Sequence, residues 1–452
     1  MLSSASHFVR SESGFNQRDL AELRDFLRAG RERLRKNIRL PMDEMSEVHV
    51  VLGNESADMD SVVSAILRAY HLSLSSDNIY LPYISISREE LALRRDVLYL
   101  FDMLGISADD VSFMDDELSL DVINKYKQLK LHLVDHNELN PDLAHLSDTV
   151  VDIIDHHADT QRYPDLQQKI IETIGSCTTL VANELLKTRT LDELPAALAA
   201  FMLAPVLMDT DNLTSKEKTR PKDVELSQQL IAKMGDKLPP DFYKILQEKK
   251  ADVSNFSNRM RLLKDFKKSK SDEVVFGMSS LGASSGFWME NEAELLPDFE
   301  KLATEKDLDF LLLLMPYHDA GKHPQRKIVV YSRSPGILTA FNTFARENEF
   351  LKTKTVLSGQ SANICFYSTA DFMSRKDLEP KIRDVSKNET FKLAFATIKQ
   401  QEMGKVPAEP SASKKINRRI SFLNEANTGS PACSSSSAAE DSPPAPKHSR
   451  MS

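Results

Sequence analysis

Cysteine is scarce in this chain of 452 residues. Its three cysteines, Cys177, Cys365 and Cys433, lie far apart in the sequence, and none forms part of a Cys-x-x-Cys pair. This spacing excludes a disulfide framework and the usual kinds of thiolate zinc site. We therefore expect a protein of a reducing compartment, with a cytoplasmic location.

Long apolar runs are also missing. No uninterrupted apolar stretch approaches the roughly 20 residues of a transmembrane helix, so we expect no membrane segment. The N-terminus has no apolar signal-peptide core, and early acids such as Glu12 and Asp19 are unusual in a transit peptide. The formal net charge of −9 argues against non-specific nucleic-acid binding, so an anionic substrate would need a locally positive site.

The length and an apolar content of 41% indicate more than one domain with a real core. The N-terminal stretch has an amphipathic helical pattern whose arginines we interpret as a solvated face. After Gly404 the composition turns to Ser, Pro and charge, which is typical of disorder. The predicted boundaries are a helical appendage at 1–47, a first α/β domain at 48–235, a linker at 236–261, a smaller α/β domain at 262–401 and a disordered tail at 402–452.

Strand and helix patterns alternate in the first domain. Short apolar runs at 48–52, 131–134 and 150–154 lack clean alternation, as buried parallel strands do. Helical patterns cover residues 61–71, 176–186 and 196–207. This alternation predicts an α/β fold with a parallel sheet between two helical layers. The strands predicted for the second domain are 274–279, 310–315, 327–331 and 363–367.

Acidic and imidazole or amide groups follow each strand of the first domain. Asn54, Asp58 and Asp60 come after the first strand, Asp135 and His136 after the second, and Asp155, His156 and His157 after the third. A fourth cluster, containing Asp209, follows the apolar run at 201–207. Each group alone is more often a turn, a helix cap or a surface pair. Because the carboxyl ends of parallel strands share one crevice, we expect the groups to converge.

Carboxylates held this close together repel one another unless cations neutralise them. Carboxylate and imidazole ligands without thiolate favour Mn²⁺ or Mg²⁺ over structural zinc, with Co²⁺ as a third option. Two ions about 3.5–4 Å apart can activate a water near neutral pH and neutralise a transferred phosphoryl group. We therefore predict two divalent cations.

The four motifs resemble those of the DHH superfamily. They read Asp-Met-Asp-Ser at 58–61, Val-Asp-His-Asn-Glu at 134–138, Asp-His-His at 155–157 and Asp-Thr at 209–210. Over roughly residues 48–401 the chain is similar to family II inorganic pyrophosphatases, the yeast-type exopolyphosphatase and the prune proteins. This resemblance implies an N-terminal DHH domain, a C-terminal DHHA2 domain and an active site in the cleft between them.

The resemblance also implies a set of metal ligands, which are Asn54, Asp58, Asp60, Asp135, His156 and Asp209. Asp58 would bind one metal, and Asp60 with His156 would bind the other. Asp135 and Asp209 would bind or bridge both ions.

Catalytic and substrate-binding roles are implied in the same way. His157 would lie near the substrate and help to protonate the leaving group, with His136 as a supporting catalytic residue. Arg375 and Lys376, within a Ser-Arg-Lys motif of the second domain, would bind phosphate together with Lys267. Arginine offers a forked, bidentate contact to phosphate and lysine a point charge.

Two differences from related proteins bear on the substrate and on the activity. Asn54 stands where pyrophosphatases carry a histidine ligand, and prune proteins and the yeast-type exopolyphosphatase share this asparagine. The third motif at 155–157 is a complete Asp-His-His, whereas vertebrate prune proteins carry Asp-His-Arg. We therefore expect an active exopolyphosphatase that hydrolyses short inorganic polyphosphate. The segment at 175–179 has two interpretations, helix N-terminal amides that serve the site or a simple helix cap.

Other functions stay open at this point. The same chemistry would serve an inorganic pyrophosphatase, or a phosphodiesterase acting on cyclic nucleotides or short oligonucleotides. The sequence has no obvious set of base-stacking aromatic residues, which disfavours the phosphodiesterase. A prune-like regulatory interaction protein, binding protein partners through the tail and the N-terminal helix, is the alternative of another class. An intact ligand set argues against that being its sole role.

Overall fold

A computed structural model shows two α/β units. It describes residues 15–126, 128–281, 292–317, 325–347, 353–358, 361–369 and 375–403. Apart from its first two residues, the predicted disordered tail lies outside this part of the chain. None of the described helices is long and apolar enough to cross a membrane.

The first unit is built on a six-stranded sheet whose described pairings are all parallel. Its strands are β1 (Val48–Leu52), β2 (Ile79–Ile84), β3 (Ser112–Phe113), β4 (Leu129–Val134), β5 (Val150–Asp155) and β6 (Lys169–Ile171). The order β3-β2-β1-β4-β5-β6 places β1, β4 and β5 side by side. The predicted parallel sheet is confirmed, and so are the three apolar runs that define it.

Helices cover both faces of this sheet. They are α1 (Gln17–Asn37), α2 (Met59–Ser73), α3 (Arg95–Leu104), α4 (Leu120–Lys125), α5 (Cys177–Thr188), α6 (Ala196–Asp209) and α7 (Pro221–Met234). Alternate residues of β1 face opposite sides, since Val51 belongs to the apolar cluster of α2, α5 and α6 while Val50 and Leu52 belong to the other. Helix α6 is buried from Ala196 to Leu207, so the acid at its end, Asp209, emerges directly from an apolar core.

Helix α1, predicted as part of an appendage, packs against the first unit. Leu23 and Leu27 lie in the same apolar cluster as α6. On its basic side, Arg28 Nε lies 2.9 Å from Asp110 Oδ1, and Arg31 Nη1 lies 3.2 Å from Asp116 Oδ2. These arginines therefore pair with acids of the unit, and α1 belongs to its hydrophobic core.

The second unit contains a mixed six-stranded sheet. Its strands are β7 (Lys267–Ser271), β8 (Val274–Ser280), β9 (Phe310–Tyr317), β10 (Gln325–Tyr331), β11 (Thr353–Ser358) and β12 (Ile364–Thr369). The order is β11-β12-β10-β9-β8-β7, and β8 with β9 is the parallel pair among the described ladders. Its helices are α10 (Glu292–Glu305), α11 (Pro335–Glu347), α12 (Arg375–Lys387) and α13 (Glu389–Met403). The two edge strands, β7 and β11, are not among the strands predicted from the sequence. Strand β7 reads Lys-Lys-Ser-Lys-Ser, which carries no apolar signal.

The segment between the units is helical and packs against both of them, with Leu262 buried in an apolar cluster of the second unit. It contains α8 (Phe242–Ala251) and α9 (Asn258–Lys264), and Phe242 is buried in the first unit's core. Lys264 Nζ, at the end of α9, donates to Leu93 O at 3.2 Å. Lys306 of the second unit also pairs with Glu90 at 3.0 Å. The two units are thus in contact around residues 89–94.

Candidate metal centre

The loops after β1, β4 and β5 bring the predicted ligands to one edge of the first sheet. Asp58 caps the N-terminus of α2, where its Oδ1 accepts from Ser61 N at 3.1 Å. Asp135 follows β4 directly in a left-handed conformation, with a φ of 62°. The close approach of β1 to α2 requires glycine at Gly53, because a Cβ there would lie 2.9 Å from Ser61 O.

Asp60 is the most heavily anchored acid of the site. Its Oδ1 accepts from Ser176 Oγ at 2.7 Å and from Thr178 N at 2.8 Å, and its Oδ2 accepts from Cys177 N at 2.7 Å. These donors lie at the start of α5, so the segment at 175–179 serves the site by holding a carboxylate with helix N-terminal amides. The side chain is buried, and donors of the protein itself hold it in position.

Asp135 is buried and Asp209 is half-buried, and the surroundings of both acids disfavour their charged forms. Burial, followed by the charge of Asp60, raises the pKa of Asp135 to about 8. Burial, followed by the charges of Asp60 and Asp58, raises the pKa of Asp209 well above its ordinary value. The Oδ2 atom of Asp209 is buried without a hydrogen-bond partner. A divalent cation would relieve both the repulsion and the unpaired oxygen, so these residues fit a metal.

The two histidines of the third motif are oriented through their Nδ1 atoms. His156 Nδ1 lies 3.1 Å from Ile174 O, which turns Nε2 toward Asp135 Oδ1 at 3.2 Å and Asp60 Oδ2 at 3.8 Å. Burial opposes protonation of His156, but these carboxylates outweigh it and raise its pKa to about 10. A backbone carbonyl that fixes one ring nitrogen and leaves the other for a metal is the common arrangement of a ligating histidine.

His157 is more exposed and faces a different acid. Its Nδ1 lies 2.8 Å from Asp155 Oδ1, and this hydrogen bond raises its pKa. Ligand atoms of Asp135, His156 and His157 lie within 4.8 Å of one another, a spacing that could hold a metal ion. His136 lies apart from this group, because its Nδ1 contacts Val134 O at 2.8 Å, and burial lowers its pKa.

Asn54 presents a donor to the site rather than a ligand atom. Its Oδ1 accepts from Ser56 N at 2.9 Å and from Ser56 Oγ at 2.6 Å, so the amide orientation is fixed. Its Nδ2 then donates to Asp135 Oδ2 at 2.6 Å. An amide nitrogen has no lone pair to offer a cation. In this arrangement Asn54 orients Asp135, whereas the resemblance implies that Asn54 is itself a metal ligand.

The predicted phosphate ligands of the second unit are placed less directly. Arg375 Nη1 donates to Asp265 O at 2.7 Å and to Asp265 Oδ1 at 3.0 Å, at the end of α9. Lys267 is exposed at the start of β7, beside this acid in the chain. The side chain of Lys376 lies outside the described residues.

Two supporting residues were missed from the sequence. Asp223 is fully buried and accepts from Gly175 N at 3.0 Å and from Thr179 Oγ1 at 2.6 Å, which secures the loop that holds Asp60. Arg94 donates through Nε and Nη2 to Ser56 O, at 2.9 and 2.5 Å. In the sequence, Asp223 looks like an ordinary residue at the start of a helix, and Arg94 like one arginine among several. Both act through contacts with residues that are distant in the chain, which leave no local signal.

Comparison with known proteins identifies both units. Residues 49–206 match the model described as DHH family, N-terminal domain, and residues 244–385 match the DHHA2 domain. A Schizosaccharomyces pombe protein named "Putative exopolyphosphatase" is 30% identical over 72% of this chain and 88% of its own length. The rat protein "Exopolyphosphatase PRUNE1" is 30% identical over 77% of this chain and 78% of its own. The crystal structure of a "putative family II inorganic pyrophosphatase" from Methanococcus jannaschii is 19% identical, with a TM-score of 0.45 over 75% of this chain and all of that one.

Proposed function

This chain belongs to the DHH family and carries a DHHA2 domain, and we propose that it is a metal-dependent exopolyphosphatase acting on short-chain inorganic polyphosphate. Its reaction would be hydrolysis of a terminal phosphoanhydride bond. The names of its relatives support this activity, and the chemistry of the acid cluster supports the metal dependence.

The observation that carries the proposal is a pair of acids whose charged forms are disfavoured by burial and by neighbouring carboxylates. Asp135 and Asp209 both have raised pKa values, and Asp209 has an oxygen without a partner. We propose that two divalent cations, Mn²⁺ or Mg²⁺ with Co²⁺ as a third option, bind here. Asp60 and His156 would hold one and Asp58 the other, with Asp135 and Asp209 shared. When bound, such ions supply a water of lowered pKa and neutralise the phosphoryl oxygens.

The side chains around these acids suggest how the reaction is organised. His157 keeps its Nδ1 at Asp155, so its Nε2 is left for the proton that the departing phosphate oxygen needs. The His157 side chain is half exposed, and a leaving group could therefore reach it. His136 is half-buried, and its Nδ1 contacts the carbonyl of Val134 in the preceding strand, so we assign it to support of the loop rather than to proton transfer.

The second unit would supply the positive charge that the net charge of −9 makes necessary. We propose that Arg375, Lys267 and Lys376 bind the phosphates behind the one that is cleaved. Arg375 is held by Asp265, so the anionic chain must share or replace this acid. A chain of several phosphates can compete with one carboxylate more effectively than a short anion, because it offers more oxygens. We also propose a cytoplasmic location, since the described cysteines are free.

Product formation from a panel of substrates tests this function, with inorganic phosphate measured for the phosphoanhydrides and nucleoside monophosphate for the cyclic nucleotide. The panel contains pyrophosphate, tripolyphosphate, long-chain polyphosphate and a cyclic nucleotide, each with Mg²⁺, Mn²⁺ or Co²⁺ and with chelator alone. We expect tripolyphosphate to give the highest kcat/KM, with no release in chelator. A preference for pyrophosphate would indicate a pyrophosphatase, and a preference for the cyclic nucleotide a phosphodiesterase. Absence of any hydrolysis would leave the interaction-protein alternative.

A further inference from the structure

Arg94 lies where the two units meet, just before α3. Both of its bonded nitrogens donate to one carbonyl, Ser56 O, in the loop of the first motif. Burial lowers the pKa of Arg94, while the charges of Asp96, Asp58 and Glu90, and of Asp265 near the second unit, act against that shift. The guanidinium thus lies among acids of the candidate centre and of the segment that holds Arg375.

A series of hydrogen bonds, linked through the covalent bond between Leu93 and Arg94, passes through this part of the chain. On one side, Lys264 at the end of α9 donates to the carbonyl of the preceding residue, Leu93, at 3.2 Å. On the other, Ser56 donates from N and Oγ to Asn54 Oδ1, at 2.9 and 2.6 Å. Asn54 Nδ2 then donates to Asp135 Oδ2 at 2.6 Å. The series connects α9, which leads into the second unit, to Asp135 of the candidate centre.

The loop at Ser56 needs an external restraint. The next residue, Ala57, has a φ of 44°, a left-handed conformation that a side chain with a Cβ disfavours. Two charge-assisted bonds from Arg94 hold the Ser56 carbonyl in place, and the Ser56 donors in turn fix the amide of Asn54. If Ser56 shifted as a whole, its N and Oγ would no longer donate to Asn54 Oδ1, and the amide could turn its oxygen toward Asp135, where it would repel the carboxylate.

We propose that Arg94 is a positioning residue that couples the seating of the second unit to cation binding at Asp135. It acts through Ser56 and Asn54 and touches neither cation nor substrate. The inference rests on the metal centre of the proposed function. It assigns a role in cation affinity to an arginine that lies outside the four motifs.

The test measures Mn²⁺ binding to metal-free protein by electron paramagnetic resonance, with kcat and KM for tripolyphosphate measured in parallel. Arg94→Gln should weaken Mn²⁺ binding about tenfold and lower kcat at subsaturating metal, as loss of an outer partner of a ligand does. Arg94→Lys, which keeps one charged donor, should recover part of the loss. The matched control is Arg95→Gln, since Arg95 contacts Asp252 and Ser254 of the same segment but not the motif loop. It should bind Mn²⁺ within about twofold of the wild type.

A double-mutant cycle with Asn54→Ala isolates the coupling. If both residues act along one series, adding Arg94→Gln to Asn54→Ala should weaken Mn²⁺ binding far less than Arg94→Gln does alone. Fully additive effects, or wild-type Mn²⁺ affinity in Arg94→Gln, would overturn the inference. Should Arg94→Gln fail to fold, Ser56→Ala removes the Oγ bond to Asn54 while the Ser56 N bond stays, so Mn²⁺ binding should weaken by a smaller factor, and wild-type affinity there would count against the inference. A wild-type chain that binds no Mn²⁺ would instead overturn the proposed function.

Discussion

Asn54 Nδ2 lies 2.6 Å from Asp135 Oδ2, so the asparagine of the first motif is a hydrogen-bond donor to the central acid of the site. A histidine at this position would offer a ring nitrogen with a lone pair instead. The difference decides whether the loop after β1 contributes a ligand or only orients one. It also links a single substitution to metal affinity and to substrate choice.

The first prediction concerns this substitution. Asn54→His should tighten binding of the cation beside Asp58, because imidazole nitrogen is a stronger ligand than an amide. A firmly held cation organises a small substrate better, so kcat/KM for pyrophosphate should rise relative to tripolyphosphate. The kcat/KM values for the two substrates are measured at saturating Mg²⁺, and metal affinity is measured in parallel. Tighter metal binding with a fixed ratio would show that Asn54 does not select the substrate. No change in metal affinity or in the ratio would show that residue 54 determines neither of them.

The second prediction concerns the arginine of the second unit. Arg375→Gln removes a charge that we assign to phosphate binding, and the expected rise in KM for tripolyphosphate is about ten- to hundredfold. Bound metal should be unchanged, because Arg375 contacts Asp265 and none of the predicted ligands. Arg383→Gln is the control on the same helix, since Arg383 pairs with Glu379 at 2.7 Å. Equal kinetics for the two variants would mean that Arg375 serves only to hydrogen-bond Asp265 at the end of α9.

The third prediction concerns stability against acid. Burial and the charge of Arg68 lower the pKa of His71 to about 4 from 6.5. Between those pH values the unfolded chain binds a proton at His71 that the native chain does not bind, so the free energy of unfolding must fall as pH falls from 6.5 to 4. Replacement by Gln removes this titration, and the melting temperature of His71→Gln should decline less over that range. Parallel curves for both proteins would assign the acid sensitivity to other groups.

Much of the fold could be predicted because its signals are local. Apolar strands that end in acids identify β1, β4 and β5, and the fully apolar run at 196–207 identifies α6. The motif order then predicts that Asp135 and His156 meet, and Asp135 Oδ1 does lie 3.2 Å from His156 Nε2. These inferences need only the periodicity of the chain and the rule that parallel strands share one edge.

What could not be predicted depends on contacts between distant residues. The orientation of the Asn54 amide is set by Ser56, and the Ser56 carbonyl is set by Arg94, 38 residues further along the chain. Asp223 secures Gly175 across 48 residues. Edge strand β7 was missed because its lysines give no apolar pattern. In each case the determining interaction is a hydrogen bond or a sheet pairing, and neither leaves a periodic trace in the sequence.

Replacement of Asp135 tests the central claim, a cation-dependent hydrolase site at the edge of the first sheet, most directly. The measurement is phosphate release from tripolyphosphate together with bound Mn²⁺ for Asp135→Asn, beside the control Asp121→Asn, an exposed acid that pairs with His145. We expect Asp135→Asn to lose more than about a hundredfold in turnover and to bind less Mn²⁺, because it removes the carboxylate that we propose the two cations share. Asp121→Asn should match the wild type. Wild-type turnover and wild-type Mn²⁺ content in Asp135→Asn would contradict the account.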